Sequence, residues 1–452
     1  MDEVAPSLVC HGCVGDPYLK NQIRDEGTRN KCSFCKKLRV SVPLANVADA
    51  FHERFIKLCH RDDETPGGNP PQFWIGEFLG TEEDSLINAV HNYLWRTYSD
   101  WDDDGPAIEY GDDVPFRLAD YQSGTYTKKW EGFRESLLQE SRYFNPTAKQ
   151  ILDEIFDGLD FNLEHREPHP FMEGGSVVTR IGPTHATTKL YRAREARTSK
   201  VVVEYLKDPA KSLGPPPPER ARTGRMNPAG ISMFYGALEP ETCVSEIRAP
   251  VGTYVVTGEF EVLRELRLLD FQKLRRATES IPFFHPQFDE KQDRDQFLEV
   301  FCFEIATPVH PQDEAFGYLP TQAVAEYLAQ REDLKLDGLM FPSTQTGAEG
   351  TNVVLFRSAS NVAPSSKLFE ASAYDFGYAT PAHFEVKARV PEPEKPKEPE
   401  DDFFSFAEAI KPPSPPPTLK INPDTIAVTL VASVNFNLRK TNLHDAEEEN
   451  DF

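Results

Sequence analysis

The sequence predicts an α+β chain: a small cysteine-stapled knuckle, then a helical domain, then a domain of strands and short helices. Three observations predict it. Two Cys-x2-Cys pairs lie near the start. From Pro43 to about residue 165, apolar residues recur every three and four positions. From about residue 177 the chain turns to short apolar runs with no regular strand–helix–strand repeat, which points to a mainly antiparallel or mixed sheet.

The knuckle spans residues 1–42. CHGC supplies Cys10 and Cys13, and CSFC supplies Cys32 and Cys35. Such a spacing reads as a tetrathiolate zinc site, because each two-residue knuckle lets both sulfurs reach one ion. Four thiolates leave no open position, so the zinc is structural, replacing a core that so short a segment cannot build. Disulfides are the rival reading, disfavoured in a reducing compartment. A redox pair is another, but no surrounding fold for one is visible.

The helical domain covers 43–165. Leu44, Val47, Phe51, Phe55, Leu58 and Cys59 form one apolar face, opened by Pro43. Arg61–Pro71 reads as a loop. Leu86–Tyr98, Trp130–Tyr143 and Thr147–Phe156 read as further helices, and Glu164–Ser176 as a linker. The third domain, 177–390, is expected to hold strands at VVTRI, KLYRA, VVVEYL, SMFYGAL, GTYVVTGEFEV, LRLLDF, DGLMFP and TNVVLF, with a stiff loop at KSLGPPPPERAR. Residues 391–424 are proline-rich and acidic, the composition of a disordered linker. Residues 425–438 alternate like a strand returning to the sheet edge, and 439–452 form an acidic tail.

Charge excludes some functions. The formal net charge is −24, a field that repels phosphate backbones, so nucleic acid is not the expected partner. No apolar run approaches the roughly 20 residues that span a bilayer. MDEVAPSLVC lacks a basic region before an apolar core, so the expected location is cytoplasmic. Oligomeric state leaves no mark on the sequence. One local exception to the acidity stands out: Arg192, Arg194, Arg197, Arg220, Arg222 and Arg225 fall in one short region, enough for a basic pocket.

Five residues carry candidate chemistry. Arg192, in KLYRA, shares a strand face with apolar Leu190, so its guanidinium needs a partner; a phosphate fits its fork, and a salt bridge to Glu246 is the alternative. Arg225, in GRMN, sits at a turn that is either a ligand rim or a plain exposed loop. Tyr235 offers a ring that stacks on a cationic pyridinium, or a core tyrosine with a tethered hydroxyl. Glu246 lies beside the apolar side of a short helix begun by Pro240, and a buried glutamate is rare unless paired or used. Ser343 ends an apolar run at a proline turn. The glycines of STQTGAEGTN are placed to bring backbone N–H groups to an anion.

Taken together, LYRA, GRMN, MFYGALEPETCVSEIR, YLPTQAVAEYL, DGLMFPS and GTNVVLF resemble the RES domain, over about residues 185–360. The segment with CHGC, DPYLKNQI and CSFC looks like the zinc-containing domain often found before RES or HEPN domains. The resemblance implies an ADP-ribosyltransferase-like fold and a toxin that degrades NAD, held inactive by an antitoxin or another regulatory protein. It implies Arg192, Tyr235, Glu246 and Ser343 as catalytic residues, with Arg192, Arg225 and Tyr235 holding NAD as substrate. Arg192 and Arg225 then clamp the pyrophosphate, and Ser343 fixes the ribose. Hydrolysis or phosphorolysis of the nicotinamide–ribose bond is the activity implied. Transfer of ADP-ribose to a protein is one alternative, and a non-catalytic NAD-binding sensor or scaffold is another. Met226 stands where the family usually has an aromatic residue.

Overall fold

The computed structural model describes residues 7–62, 68–98, 110–111, 114–118, 124–141, 144–156, 176–275, 282–310, 312–374, 381–389 and 416–435. They fall into two units. Residues 391–415 of the linker expected over 391–424, and the acidic tail at 439–452, lie outside the described residues, as does all of Glu164–Ser176 but its last residue.

The first unit begins with β1 (Leu8–Cys10), α1 (Pro17–Glu26), β2 (Thr28–Lys31) and β3 (Leu38–Pro43). The three strands form one antiparallel sheet with β3 in the middle. Asp16 starts α1 by accepting from the Tyr18 and Leu19 amides at 3.0 and 2.9 Å, with Pro17 in the first turn. α2 (Leu44–Leu58) buries Val47, Phe51, Phe55 and Leu58 along one stripe. Then come β4 (Cys59–Arg61), α3 (Pro71–Leu79), α4 (Asp84–Tyr98), β5 (Phe116–Leu118), α5 (Thr125–Gln139) and α6 (Pro146–Ile155). The loop expected over Arg61–Pro71 is therefore bounded by a strand at one end and a helix at the other. Phe51, Phe55, Phe78 and Tyr110 are fully buried together, and each such side chain contributes about 1.5–3 kcal/mol of hydrophobic stabilisation. Asp293 accepts from the Gly124 and Tyr126 amides at 3.0 and 3.1 Å, closing the start of α5.

The second unit is built on β6 (Val178–Ile181), β7 (Lys189–Ala196), α7 (Ser199–Lys207), α8 (Pro209–Leu213), β8 (Phe234–Ala237), α9 (Pro240–Ile247), β9 (Tyr254–Val262), β10 (Leu266–Asp270) and α10 (Phe271–Arg275). α11 (Phe288–Ala306) follows, its first part belonging to the first unit. The second unit continues with α12 (Glu314–Gly317), α13 (Leu319–Gln330), β11 (Gly338–Pro342), β12 (Thr351–Leu355), β13 (Leu368–Tyr374), β14 (His383–Arg389) and β15 (Leu419–Leu430). Eight strands form one sheet in the order β15-β9-β7-β8-β12-β11-β10-β6. Every neighbouring pair is antiparallel except β10 with β11. β13 and β14 make a separate hairpin. The architecture is thus α+β with a large mixed sheet.

Two expectations need correction. VVVEYL is not a strand but part of α7. Thr198 caps that helix, and Val202 and Leu206, four apart, point into the core; this packing overrides the strand preference of three valines. The returning strand begins at Leu419 rather than residue 425 and ends at Leu430. Its register on β9 shifts between Asn422 and Ala427, where the alternation changes phase from Leu419 and Ile421 to Ile426, Val428 and Leu430. Among the described residues no helix is long and apolar enough to cross a membrane.

Candidate functional site

The middle of the large sheet carries the candidate residues. β7 brings Arg192, its neighbour β8 brings Tyr235, and the next strand, β12, brings Asn352. Glu246 stands on α9, directly after β8. Three ties fix that helix. Cys243 Sγ donates to the Tyr191 carbonyl at 2.9 Å, joining α9 to β7. Glu239 Oε2 accepts from the Thr351 amide at 3.0 Å and from Thr242 Oγ1 at 2.9 Å, joining it to β12. Gly350 lies against Thr242 so closely that an added Cβ would stand 2.0 Å from Thr242 Oγ1. Glu246 follows Cys243 by one turn and so faces the same strands. α9 then stops at Arg248, whose φ is 52°.

Arg192, Arg225, Tyr235 and Glu246 line one cavity of about 320 Å³, with Tyr318, Phe341 and Asn352 among its other walls. The salt bridge between Arg192 and Glu246 does not form. Glu246 Oε1 instead accepts from Ser343 Oγ at 2.6 Å and from Asn352 Nδ2 at 2.7 Å. Among the described residues, Arg192 Nη1 is buried without any hydrogen-bond partner, and its guanidinium lies 5.0 Å from the Phe234 ring centre. Burial, then the nearby Arg194, lower its pKa to about 10, so it remains charged at neutral pH.

Arg225 is not a plain exposed loop arginine. It donates to the Ala306 carbonyl at 2.7 Å and covers the Phe341 ring at 5.3 Å. Tyr235 presents its ring to the cavity while its hydroxyl is tethered, accepting from the Met226 amide at 3.0 Å and donating to Asn227 Oδ1 at 2.6 Å. Burial pushes the phenol pKa up, so it stays protonated. Ser343 is fully buried and is not a cavity wall; its hydroxyl reaches Glu246. In the glycine-rich loop after it, several amides are engaged within the loop. Ser343 N–H donates to the Gly350 carbonyl, Ala348 N–H to the Ser343 carbonyl and Gly350 N–H to Thr346 Oγ1.

One residue of this arrangement, Asn352, escaped the sequence reading, and another, Asn227, read only as part of the turn after Arg225. Asn352 is 6% exposed; its signal was an amide inside the apolar run TNVVLF. Asn227 is likewise buried and ties the GRMN loop together: its Nδ2 donates to the carbonyls of Arg222, Pro228 and Ile231 at 3.0, 3.0 and 2.8 Å. Gly224 packs against the same knot, where a Cβ would lie 2.6 Å from Asn227 Oδ1. Asn227→Ala strips these partners inside a buried loop. It is expected to cost about 2–3 kcal/mol in urea unfolding, and a loss below about 0.5 kcal/mol would show that the loop does not depend on it.

In the first unit, the sulfurs of Cys10, Cys13, Cys32 and Cys35 all lie within 4.8 Å of one another. Three of the separations are 3.7, 3.6 and 3.8 Å. A tetrahedron with zinc–sulfur bonds of about 2.3 Å has edges of about 3.8 Å, so the four cysteines fit a metal.

No curated protein matches the chain. A family model described as the RES domain matches residues 189–377. That stretch contains Arg192 and Glu246 of the cavity wall and Ser343 bonded to Glu246, and over it this chain matches the RES domain.

Proposed function

We propose that the RES domain cleaves the nicotinamide–ribose bond of NAD, with water or phosphate as acceptor, as a toxin or defence effector of ADP-ribosyltransferase-like fold. The observation that carries this reading is the state of Glu246. One carboxylate oxygen is held by Ser343 and Asn352; the other makes no hydrogen bond among the described residues. The same cavity holds a guanidinium with an unpartnered nitrogen.

Arg192 and Arg225 take the pyrophosphate, whose charge satisfies the orphaned Nη1. The Tyr235 ring packs on the nicotinamide end. The C1′–N bond then breaks, its electron pair stays with the ring nitrogen, and nicotinamide leaves neutral without a general acid. Glu246 stabilises the oxocarbenium-like charge at C1′. Water attacks C1′ and releases a proton, giving ADP-ribose; phosphate gives the 1-phosphate instead. Ser343 and Asn352 are positioning residues, since they act through Glu246. An antitoxin or other regulatory protein is the partner that fits such an activity.

The test is to incubate the purified chain with NAD, with and without phosphate, and identify the products. Free nicotinamide with ADP-ribose or its phosphate is expected. Binding without turnover, or label retained on a macromolecule, overturns the reading in favour of a sensor or a transferase.

For the cysteine cluster we propose a structural zinc, held by Cys10, Cys13, Cys32 and Cys35. Metal analysis is expected to find one zinc per chain. Cys13→Ser with Cys35→Ser should remove it and unfold the β1–β3 sheet, seen as early proteolysis there. An intact, metal-free sheet would refute this role.

A further inference from the structure

A second cavity, of about 1240 Å³, adjoins the first and shares Arg192, Thr223, Gly224 and Tyr235 with it. Five arginines line it: Arg192, Arg194, Arg197, Arg220 and Arg222. Only two carboxylates, Glu195 and Glu219, oppose them among the described residues. This is a basic basin in a chain whose net charge is −24.

Some of these arginines are occupied within the protein. Arg194 donates to the Ser212 carbonyl and lies 4.9 Å from the Tyr205 ring centre. Arg197 is paired loosely with Glu195 at 3.6 Å. Among the described residues, Arg220 and Arg222 make no hydrogen bond or ion pair through their side chains. Their backbone, however, is pinned. Arg220 ends a 3-10 turn, Pro218–Arg220, that follows a polyproline run. Ser232 Oγ donates to the Pro216 carbonyl at 2.5 Å, and Asn227 holds the Arg222 carbonyl. Two uncommitted guanidiniums are thus presented on a stiff rim, which lowers the entropy lost when they engage an anion.

Resting on the dinucleotide reading above, we propose that this basin binds a further phosphate group on the adenosine half of the ligand. The preferred ligand is then the 2′-phosphorylated dinucleotide, NADP, rather than NAD. Arg192 and Arg225 already match the pyrophosphate. Arg220 and Arg222 are surplus to it, and a phosphomonoester, with a charge of about −1.5 to −2 at neutral pH, suits two such forks. A long phosphate polymer is disfavoured by the acidic remainder of the chain.

The test is isothermal titration of the full chain with NAD and with NADP at equal ionic strength. NADP is expected to bind at least about tenfold more tightly, one charge-assisted contact's worth. Arg220→Ala with Arg222→Ala should weaken NADP binding by about that factor more than NAD binding. Equal affinities, or a preference that survives the double substitution, overturn the inference. If NAD binds and the third phosphate adds nothing, the basin's assignment falls and the reading of the Glu246 cavity stands. If neither dinucleotide binds at millimolar concentration, both fall.

Discussion

Glu246→Gln is expected to reduce nicotinamide release by about 10²–10³-fold while the dinucleotide still binds. The substitution is nearly isosteric. The carbonyl oxygen of the introduced amide can accept from Ser343 Oγ and Asn352 Nδ2 as Glu246 Oε1 does now, so α9 and its neighbours keep their places. What disappears is the negative charge that the proposed mechanism sets beside the scissile bond. Because that charge acts on the transition state more than on the ground state, the loss falls on kcat rather than on KM. Release of nicotinamide by chromatography and binding by titration separate the two. A variant that turns over at the normal rate removes Glu246 from the mechanism.

Arg192→Met should do the opposite to binding and something unusual to stability. Arg192 Nη1 is buried with no partner among the described residues, and such a group costs about 1–3 kcal/mol. Methionine keeps much of the stem and carries no donor, so the free protein should unfold at an equal or higher urea concentration. Dinucleotide affinity should fall by about 10²-fold or more, the weight of a charge-assisted phosphate contact in a desolvated place. A variant that is markedly less stable and still binds would show the arginine to be a packing residue.

The legible parts of the molecule were those with local causes. α2 could be read because its buried residues follow one stripe; α6 was read from Thr147, one residue inside the start that Asn145 and Pro146 set. The strands of the large sheet were legible as short apolar runs. α11 was not: in its second half Phe297, Leu298, Phe301, Cys302 and Ile305 form one buried stripe, but the exposed Val300 and Phe303 blur it in the sequence. The β13–β14 hairpin lies on the surface with mostly exposed residues and left little hydrophobic signal.

The candidate site shows the same division. Arg192, Arg225, Tyr235 and Glu246 were found by residue type and by resemblance, and all four line one cavity. Their partners were not legible, because partners are set by tertiary approach. Nothing local says that Ser343 would reach Glu246, 97 positions away, or that Asn352 would do so from 106. Nor does local sequence say that the amides of Ser343, Ala348 and Gly350 would be taken up within their own loop.

β15 has a consequence for how the protein is made. The strand bearing Arg192 is backed by β9, and β9 takes its outer neighbour from residues 419–430, with Glu259 and Thr425 joined across 166 positions of sequence. During synthesis, β9 must therefore wait with a bare row of amides and carbonyls while the ribosome adds the intervening chain. A nascent polypeptide would complete its largest sheet only after that delay. Any product interrupted before residue 419 would keep a sticky flank open to other chains.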